Sequence, residues 1–288
     1  MKRGVRLAAV LVLSVVFVVS AVNAARGILE YKKGAETYAE AEEVANVAGL
    51  EALADERPPL VKPGTQSAAQ PAEEPADPAE EPAAPEAPAP EPQPDPYESL
   101  LREANVAALQ EINADVKGWI VLPGTGVSYP LLQGSDNEFY LNHDWKKDAS
   151  SVGAVFLDCR TSADFTDFNT IAYGHRMRDR SMFGRLKRYA QQDYLDAHPD
   201  VYVRTADTVY RYAIYAAYEA DVSSLTYCLS LPDEASREEF IRLGLESSAV
   251  SAGFTPQTTD RFLTLVTCTG NGYESRWVVQ AVLAETSG

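Results

Sequence analysis

Thr264-Leu265-Val266-Thr267-Cys268 is a run of strand-formers that ends on a thiol. Eight residues beyond it, Arg276 opens a second such run, Arg276-Trp277-Val278-Val279-Gln280-Ala281-Val282-Leu283. Two runs this close predict neighbouring strands whose ends bring cysteine and arginine together across the pair. A cation beside a cysteine favours the thiolate, which is the nucleophilic form. Arginine also stays charged at any relevant pH and can hold a carbonyl in a fixed geometry. The alternative is that Cys268 is a small buried hydrophobe, as most free cysteines are.

The composition is uneven along the 288 residues. Residues 1–26 carry Lys2, Arg3, Arg6 and Arg26 and no acid, whereas residues 27–97 carry 16 acids against 4 bases. The whole chain has a formal net charge of −17. This balance argues against nucleic acid as a partner, because phosphate binding needs clustered lysine and arginine. Leu7 to Ala25 is free of charge and rich in Val, Leu and Ala. As a helix it spans roughly 28 Å, close to the hydrocarbon thickness of a bilayer. Basic residues precede it, so the reading is a single-pass anchor with a cytoplasmic N-terminus and everything after it outside. A cleaved signal peptide ending near Val22-Asn23-Ala24 is the competing reading. Both export the rest of the chain.

Residues 27–54 are rich in Ala and Glu and are expected to continue the helix away from the membrane. Residues 71–96 hold ten prolines among Ala and Glu with no large apolar residue. Such a segment cannot build a core, and residues 27–97 are therefore read as a stalk, largely disordered. Its Pro-rich part reaches roughly 80 Å in a polyproline II conformation. Residues 98–288 are the globular part. A helix is predicted over Tyr97–Val116, where Leu101, Ala104, Ala108, Leu109 and Ile112 recur at helical spacing. Strands are predicted at Gly118–Leu122, Val127–Leu132, Gly153–Leu157, Asn169–Tyr173, Asp200–Arg204, Val209–Asp221, Arg261–Cys268 and Arg276–Leu283. Many short strands parted by turns indicate a mainly β barrel or sandwich with some helix, an α+β class. A second helix is predicted from Pro232 to about Ala249, where Ser236-Arg237-Glu238-Glu239 has the capping-box pattern. A short helical piece is expected around Phe183–Tyr189.

Three cysteines (Cys159, Cys228, Cys268) leave at least one unpaired, with a Cys159–Cys228 bridge open. None has metal-ligand spacing and the three histidines lie far apart, so no metal is expected. Among the histidines, His175 ends the strand-like Asn169-Thr170-Ile171-Ala172-Tyr173-Gly174 and is presented at a rim. His143 reads as a capping or turn residue, His198 as an exposed loop residue.

Taken together, these pieces resemble the sortases, the membrane-anchored cysteine transpeptidases of Gram-positive bacteria. Thr264-Leu265-Val266-Thr267-Cys268 matches their TLxTC signature, Arg276 the downstream arginine, and Tyr173-Gly174-His175 the histidine. The resemblance covers residues 98–288 and is closest to class B. Its carriers are Tyr129-Pro130-Leu131-Leu132-Gln133, Asp136-Asn137, Tyr140-Leu141-Asn142-His143-Asp144, Phe156-Leu157-Asp158 and Ser181-Met182-Phe183-Gly184. Val266 departs from the serine of many class B members, and the loop Thr269–Ser275 is short.

The resemblance implies an eight-stranded β-barrel with an N-terminal helix and a helix inserted before the cysteine-bearing strand. It implies Cys268 as nucleophile, His175 as proton donor and acceptor, and Arg276 as holder of the substrate and oxyanion, with no cofactor. Asn137, Leu141, Tyr173 and Thr267 are the implied lining of the substrate groove. The implied partners are secreted proteins with C-terminal sorting motifs, an amine of a cell-wall peptide precursor or a pilin lysine, and the membrane through the N-terminal helix. The rival readings are an exported cysteine hydrolase and a catalytically silent binding module.

Overall fold

In the computed structural model, residues 2–53, 95–268 and 274–287 are described. The Pro-rich segment and most of the 269–275 loop therefore lie outside the described residues. Helix α1 runs over Lys2–Ala45, followed after a gap by α2 (Pro96–Arg102) and α3 (Val106–Ile112). Then come β1 (Val116–Leu122), β2 (Val127–Leu132), β3 (Val155–Leu157), β4 (Asn169–Tyr173) and α4 (Gln192–Ala197). Strands β5 (Asp200–Arg204) and β6 (Val209–Asp221) lead to α5 (Glu234–Ser247), β7 (Phe262–Cys268) and β8 (Ser275–Ser287).

The eight strands close into a barrel in the order β1-β2-β3-β4-β7-β8-β6-β5. All junctions are antiparallel except β2–β3 and β4–β7, which are parallel. Alternation along β7 sorts its side chains: Leu263 and Leu265 enter the barrel core, while Phe262 and Val266 join a second core outside it. That outer core is covered by Phe240 and Ile241 of α5 and by Leu231. Strand β6 is buried on both faces along most of its length, which is why its sequence reads as nearly unbroken apolar residues.

The predicted strands are all present with small shifts of their ends, and the barrel is the expected one. The helix predicted over 97–116 is instead two. Asn105 interrupts it, because its side chain caps α3 by accepting from the Ala108 amide at 3.1 Å. Its own amide donates to the Ala45 carbonyl at 2.8 Å. Val116 already belongs to β1. The cap of α5 is Asp233 rather than Ser236: the aspartate accepts from the Ser236 amide, and the serine hydroxyl donates back to the Asp233 carbonyl. The piece near 183–189 is a 3-10 turn at Leu186–Ala190 leading into α4. His198 is half-buried rather than exposed. Its ring sits 4.5 Å from that of Tyr194 and its Nδ1 donates to the Pro123 carbonyl.

The bottom of the fold is pinned by a buried charge cluster. Arg211 of β6, only 5 % exposed, faces Asp95 at 3.2 Å and Asp200 at 3.4 Å, with Glu285 at 3.6 Å. Asp95 also caps α2 through the Tyr97 amide and accepts from the Tyr202 hydroxyl. Removing the cation would strand two buried carboxylates. Arg211→Met is expected to cost about 3–5 kcal/mol of unfolding free energy, read from urea titrations of the full chain in detergent. A loss below about 1 kcal/mol would show that the cluster is not coupled in this way.

Candidate active site

Cys268 is the last residue of β7 and is exposed. Directly opposite it in the antiparallel β7–β8 ladder stands Arg276. On the other flank, Tyr173 of β4 is opposite Val266 in the parallel ladder, and the Gly174 amide continues the pairing by donating to the Val266 carbonyl at 3.1 Å. Two residues past Tyr173 and two past Val266, His175 and Cys268 therefore stand at one level. Neighbouring strands are about 4.8 Å apart. The thiol thus sits on the central strand of three, with imidazole on one side and guanidinium on the other. All three lie on the outer face of the barrel, at the edge of the apolar patch under α5.

The imidazole is seated by backbone. His175 Nε2 lies 2.7 Å from the Leu141 carbonyl oxygen, which can only accept, so Nε2 carries the proton and Nδ1 is the nitrogen left for proton exchange. The carbonyl of His175 in turn accepts from the Phe183 amide. Beneath the ring is Gly153, with φ +63°, where a Cβ would come 2.8 Å from His175 Cδ2 and 2.9 Å from the Leu141 carbonyl oxygen. Only glycine fits both the left-handed backbone and the close approach. The Gly153 carbonyl accepts a 2.6 Å hydrogen bond from the Tyr38 hydroxyl of α1. Neither Gly153 nor Tyr38 is marked in the sequence by any catalytic residue type.

A sortase-domain family model matches residues 120–284, more than half of the chain. The chain belongs to the sortase family. It is 36% identical over 177 residues to the sortase B of Listeria monocytogenes, covering 61% of this chain and 72% of that one. With the sortase B of Staphylococcus aureus the identity is 30% over 161 residues, 56% of this chain and 66% of that one. A solved S. aureus sortase B–substrate complex superposes with a TM-score of 0.59 at 29% identity, over 62% of this chain and 83% of that chain. Clostridium perfringens sortase B gives 0.59 at 28% identity, over 63% and 100%. The likeness is to class B, and the chain is a cysteine transpeptidase by family.

Around His175, the residues read as groove lining divide into two groups. Asn137 and Tyr173 converge on Asp158, which is fully buried. Asn137 Nδ2 and the Tyr173 hydroxyl each donate to Asp158 Oδ2 at 3.0 Å, and Arg160 grips both carboxylate oxygens at 2.8 Å. Asn137 Oδ1 accepts from the Cys159 amide. Leu141 is exposed and serves His175 through its carbonyl. Thr267 is buried, and its hydroxyl has no partner among the described residues. Sequence reasoning missed Tyr227, in the turn between β6 and α5, whose buried hydroxyl is likewise unpartnered. Burial pushes that phenol's pKa up, while the charge of nearby Arg276 opposes the rise.

The segment carrying Tyr227 is held by a polar chain under β7. Gln280 Oε1 accepts from the hydroxyls of Tyr215 and Tyr218. Thr264, just before the apolar end of β7, donates to Asn169 Oδ1 at 2.8 Å. Asn169 Nδ2 then donates to the carbonyls of Thr226 and Cys228. All three cysteines are free thiols, so no Cys159–Cys228 bridge is formed.

Two outcomes follow from these contacts. Gly153→Ala is expected to lower kcat by about tenfold or more while leaving the fold intact, because an ill-placed base loses much of its contribution. Unchanged kcat in a folded Gly153→Ala variant would remove the glycine from the account. For Asp158, burial alone would raise the pKa, but the Arg160 hydrogen bonds and charge and the Tyr173 hydroxyl bring it below the usual carboxylate range. A carboxyl depressed below its unfolded value of about 3.9 stabilises the fold above that pH and loses its contribution as pH falls through the lower native value. Asp158→Asn should therefore cost about 1–3 kcal/mol at pH 7, with a deficit that shrinks below pH 4 in a series of melts.

Proposed function

We propose that this sortase cleaves a C-terminal sorting signal after threonine and transfers the new acyl end to an amine. The observation that supports the reading is the placement of Cys268 at one level between His175 and Arg276. The Cys268 thiolate attacks the threonine carbonyl carbon, and the carbonyl oxygen becomes an oxyanion. Arg276, a permanent cation with fork-shaped donors, stabilises that charge and fixes the substrate backbone. The tetrahedral adduct collapses by breaking the C–N bond, and the leaving amine takes its proton from His175. A thioester remains on Cys268. The incoming amine attacks it, gives a proton to His175 and expels the thiolate, so one amide is exchanged for another and the enzyme is regenerated.

The acceptor amine belongs to a cell-wall peptide precursor or to a pilin lysine. Asn137, Leu141 and Tyr173 border the histidine side of the groove. Thr267, read as groove lining, is turned into the barrel with Leu263 and Leu265, whereas Tyr227 offers a hydroxyl near the arginine that a bound peptide backbone would satisfy. Among the described residues, one helix is long and apolar enough to cross a membrane, and it is the N-terminal one. With Lys2, Arg3 and Arg6 before it, the anchor leaves the N-terminus in the cytoplasm and the barrel outside, where secreted substrates emerge.

The test incubates the full chain in detergent with a library of sorting-motif peptides and an amine acceptor, with products read by mass spectrometry. The peptide–amine conjugate is expected from the native chain and absent with Cys268→Ala. Arg276→Lys keeps the charge but loses the fork, and kcat/KM should fall about 10²–10³-fold. If free threonine carboxylate dominates even when amine is abundant, the enzyme is a hydrolase and the transfer reading is wrong.

A further inference from the structure

The half of α1 that follows the apolar run presents Gly34, Tyr38, Ala41 and Ala45, spaced four, three and four apart and so aligned on one face. This face is docked on the catalytic domain. Ala41 and Ala45 are fully buried and Tyr38 is 7 % exposed. Gly34 lies so close to Val152 that a Cβ would come within 2.7 Å of its Cγ2. The Tyr38 ring stands edge-on to Tyr129 at 5.2 Å, and its hydroxyl holds the Gly153 carbonyl. The Trp145 indole N–H donates to the Thr37 carbonyl at 2.9 Å, and Lys146 pairs with Glu40. After α1 the chain stays on the same body: Val47 and Leu50 are each 2 % exposed, and Leu53 packs against the core. Where description resumes, Asp95 is already locked to Arg211 and to the cap of α2.

Both ends of residues 54–94 are thus fixed on one rigid surface. We infer that the barrel is tethered to the bilayer by α1 itself, clamped through the Gly34–Ala45 face, and that the Pro-rich segment does not set the distance between enzyme and membrane. From Ala25 to Gly34 is nine residues of continuous helix, about 14 Å. That replaces the roughly 80 Å reach of an extended stalk. A helix continuous from bilayer to docking face also fixes the barrel's orientation, and so the direction in which the groove opens. The clamp meets the active site at Gly153, which carries Tyr38 on one side and the His175 ring on the other. The inference rests on the reading of residues 7–25 as an uncleaved anchor and is independent of the proposed chemistry.

A site-specific protease sequence placed within residues 78–88 of the full chain provides the test. Uncut protein should sediment with carbonate-washed membranes. After complete cleavage the barrel fragment is no longer covalently joined to the anchor, yet it should remain in the pellet. Its recovery in the supernatant would overturn the clamp and restore the stalk. In the cut Ala41→Glu variant, with a carboxylate at a fully buried contact, the fragment should move to the supernatant. Gly34→Gln, which crowds Val152, serves the same purpose should Ala41→Glu not accumulate. A cooperative thermal melt of the uncut variant, followed by circular dichroism, confirms its fold. If the cut variants still sediment, this face is not what retains the barrel and the inference is wrong. If uncut native protein is already soluble, the anchor fails and the tether with it, while the transfer assay stands or falls separately.

Discussion

Five consecutive backbone pairs join β4 to β7 in parallel, from Asn169 opposite Phe262 to Tyr173 opposite Val266. This register depends on the burial of both faces of the sheet. A slip by one residue would turn Val266 and Phe262 into the barrel and Leu265 and Leu263 out of it. The same slip would carry Cys268 to the wrong face. Because the apolar side chains cannot tolerate it, the polar ones at the strand ends are placed without needing any contact of their own. The thiol, imidazole and guanidinium are in this sense held by the leucines, valines and phenylalanines behind them.

Polar interactions then refine what packing has placed. The Leu141 carbonyl selects one ring nitrogen of His175, and Gly153 leaves the ring room. Asp158 gathers Asn137, Tyr173 and Arg160 into one network, and because each donor is satisfied the buried carboxylate is a rigid fixture rather than a liability. Gln280, Thr264 and Asn169 play the same part beneath the segment of Tyr227. Tyr227, on that segment, has a buried hydroxyl without a partner among the described residues and lies close enough to Arg276 for its charge to act on the phenol.

Much of this was legible from the residues. Strand-formers ending at Cys268, the glycine turn before His175 and the apolar length of β6 have periodicities that survive tertiary context. The features that were not legible are of three physical kinds. Asn105 and Asp233 are caps whose weight against helix propensity depends on partners the sequence does not rank. Gly153, the Leu141 carbonyl and Asp158 act through backbone or through convergence of distant segments. The docking face of α1 was invisible because Gly34, Ala41 and Ala45 are small. They bury themselves by close approach rather than by apolar bulk, so a helix with a binding face reads as an ordinary Ala/Glu-rich one.

Parallel neighbours cannot be joined by a tight turn. Between β4 and β7 the chain must first build α4, β5, β6 and α5, so residues 175 and 268 are brought together by the most sequence-distant pairing around the thiol. Contacts of that kind form late, since the loop they close is long. A chain threaded across a membrane from its N-terminus would therefore emerge with its imidazole first and its thiol near the end, and the two would meet only when the barrel shuts. The register that sets Cys268 level with His175 therefore belongs to the closed barrel and not to either strand alone.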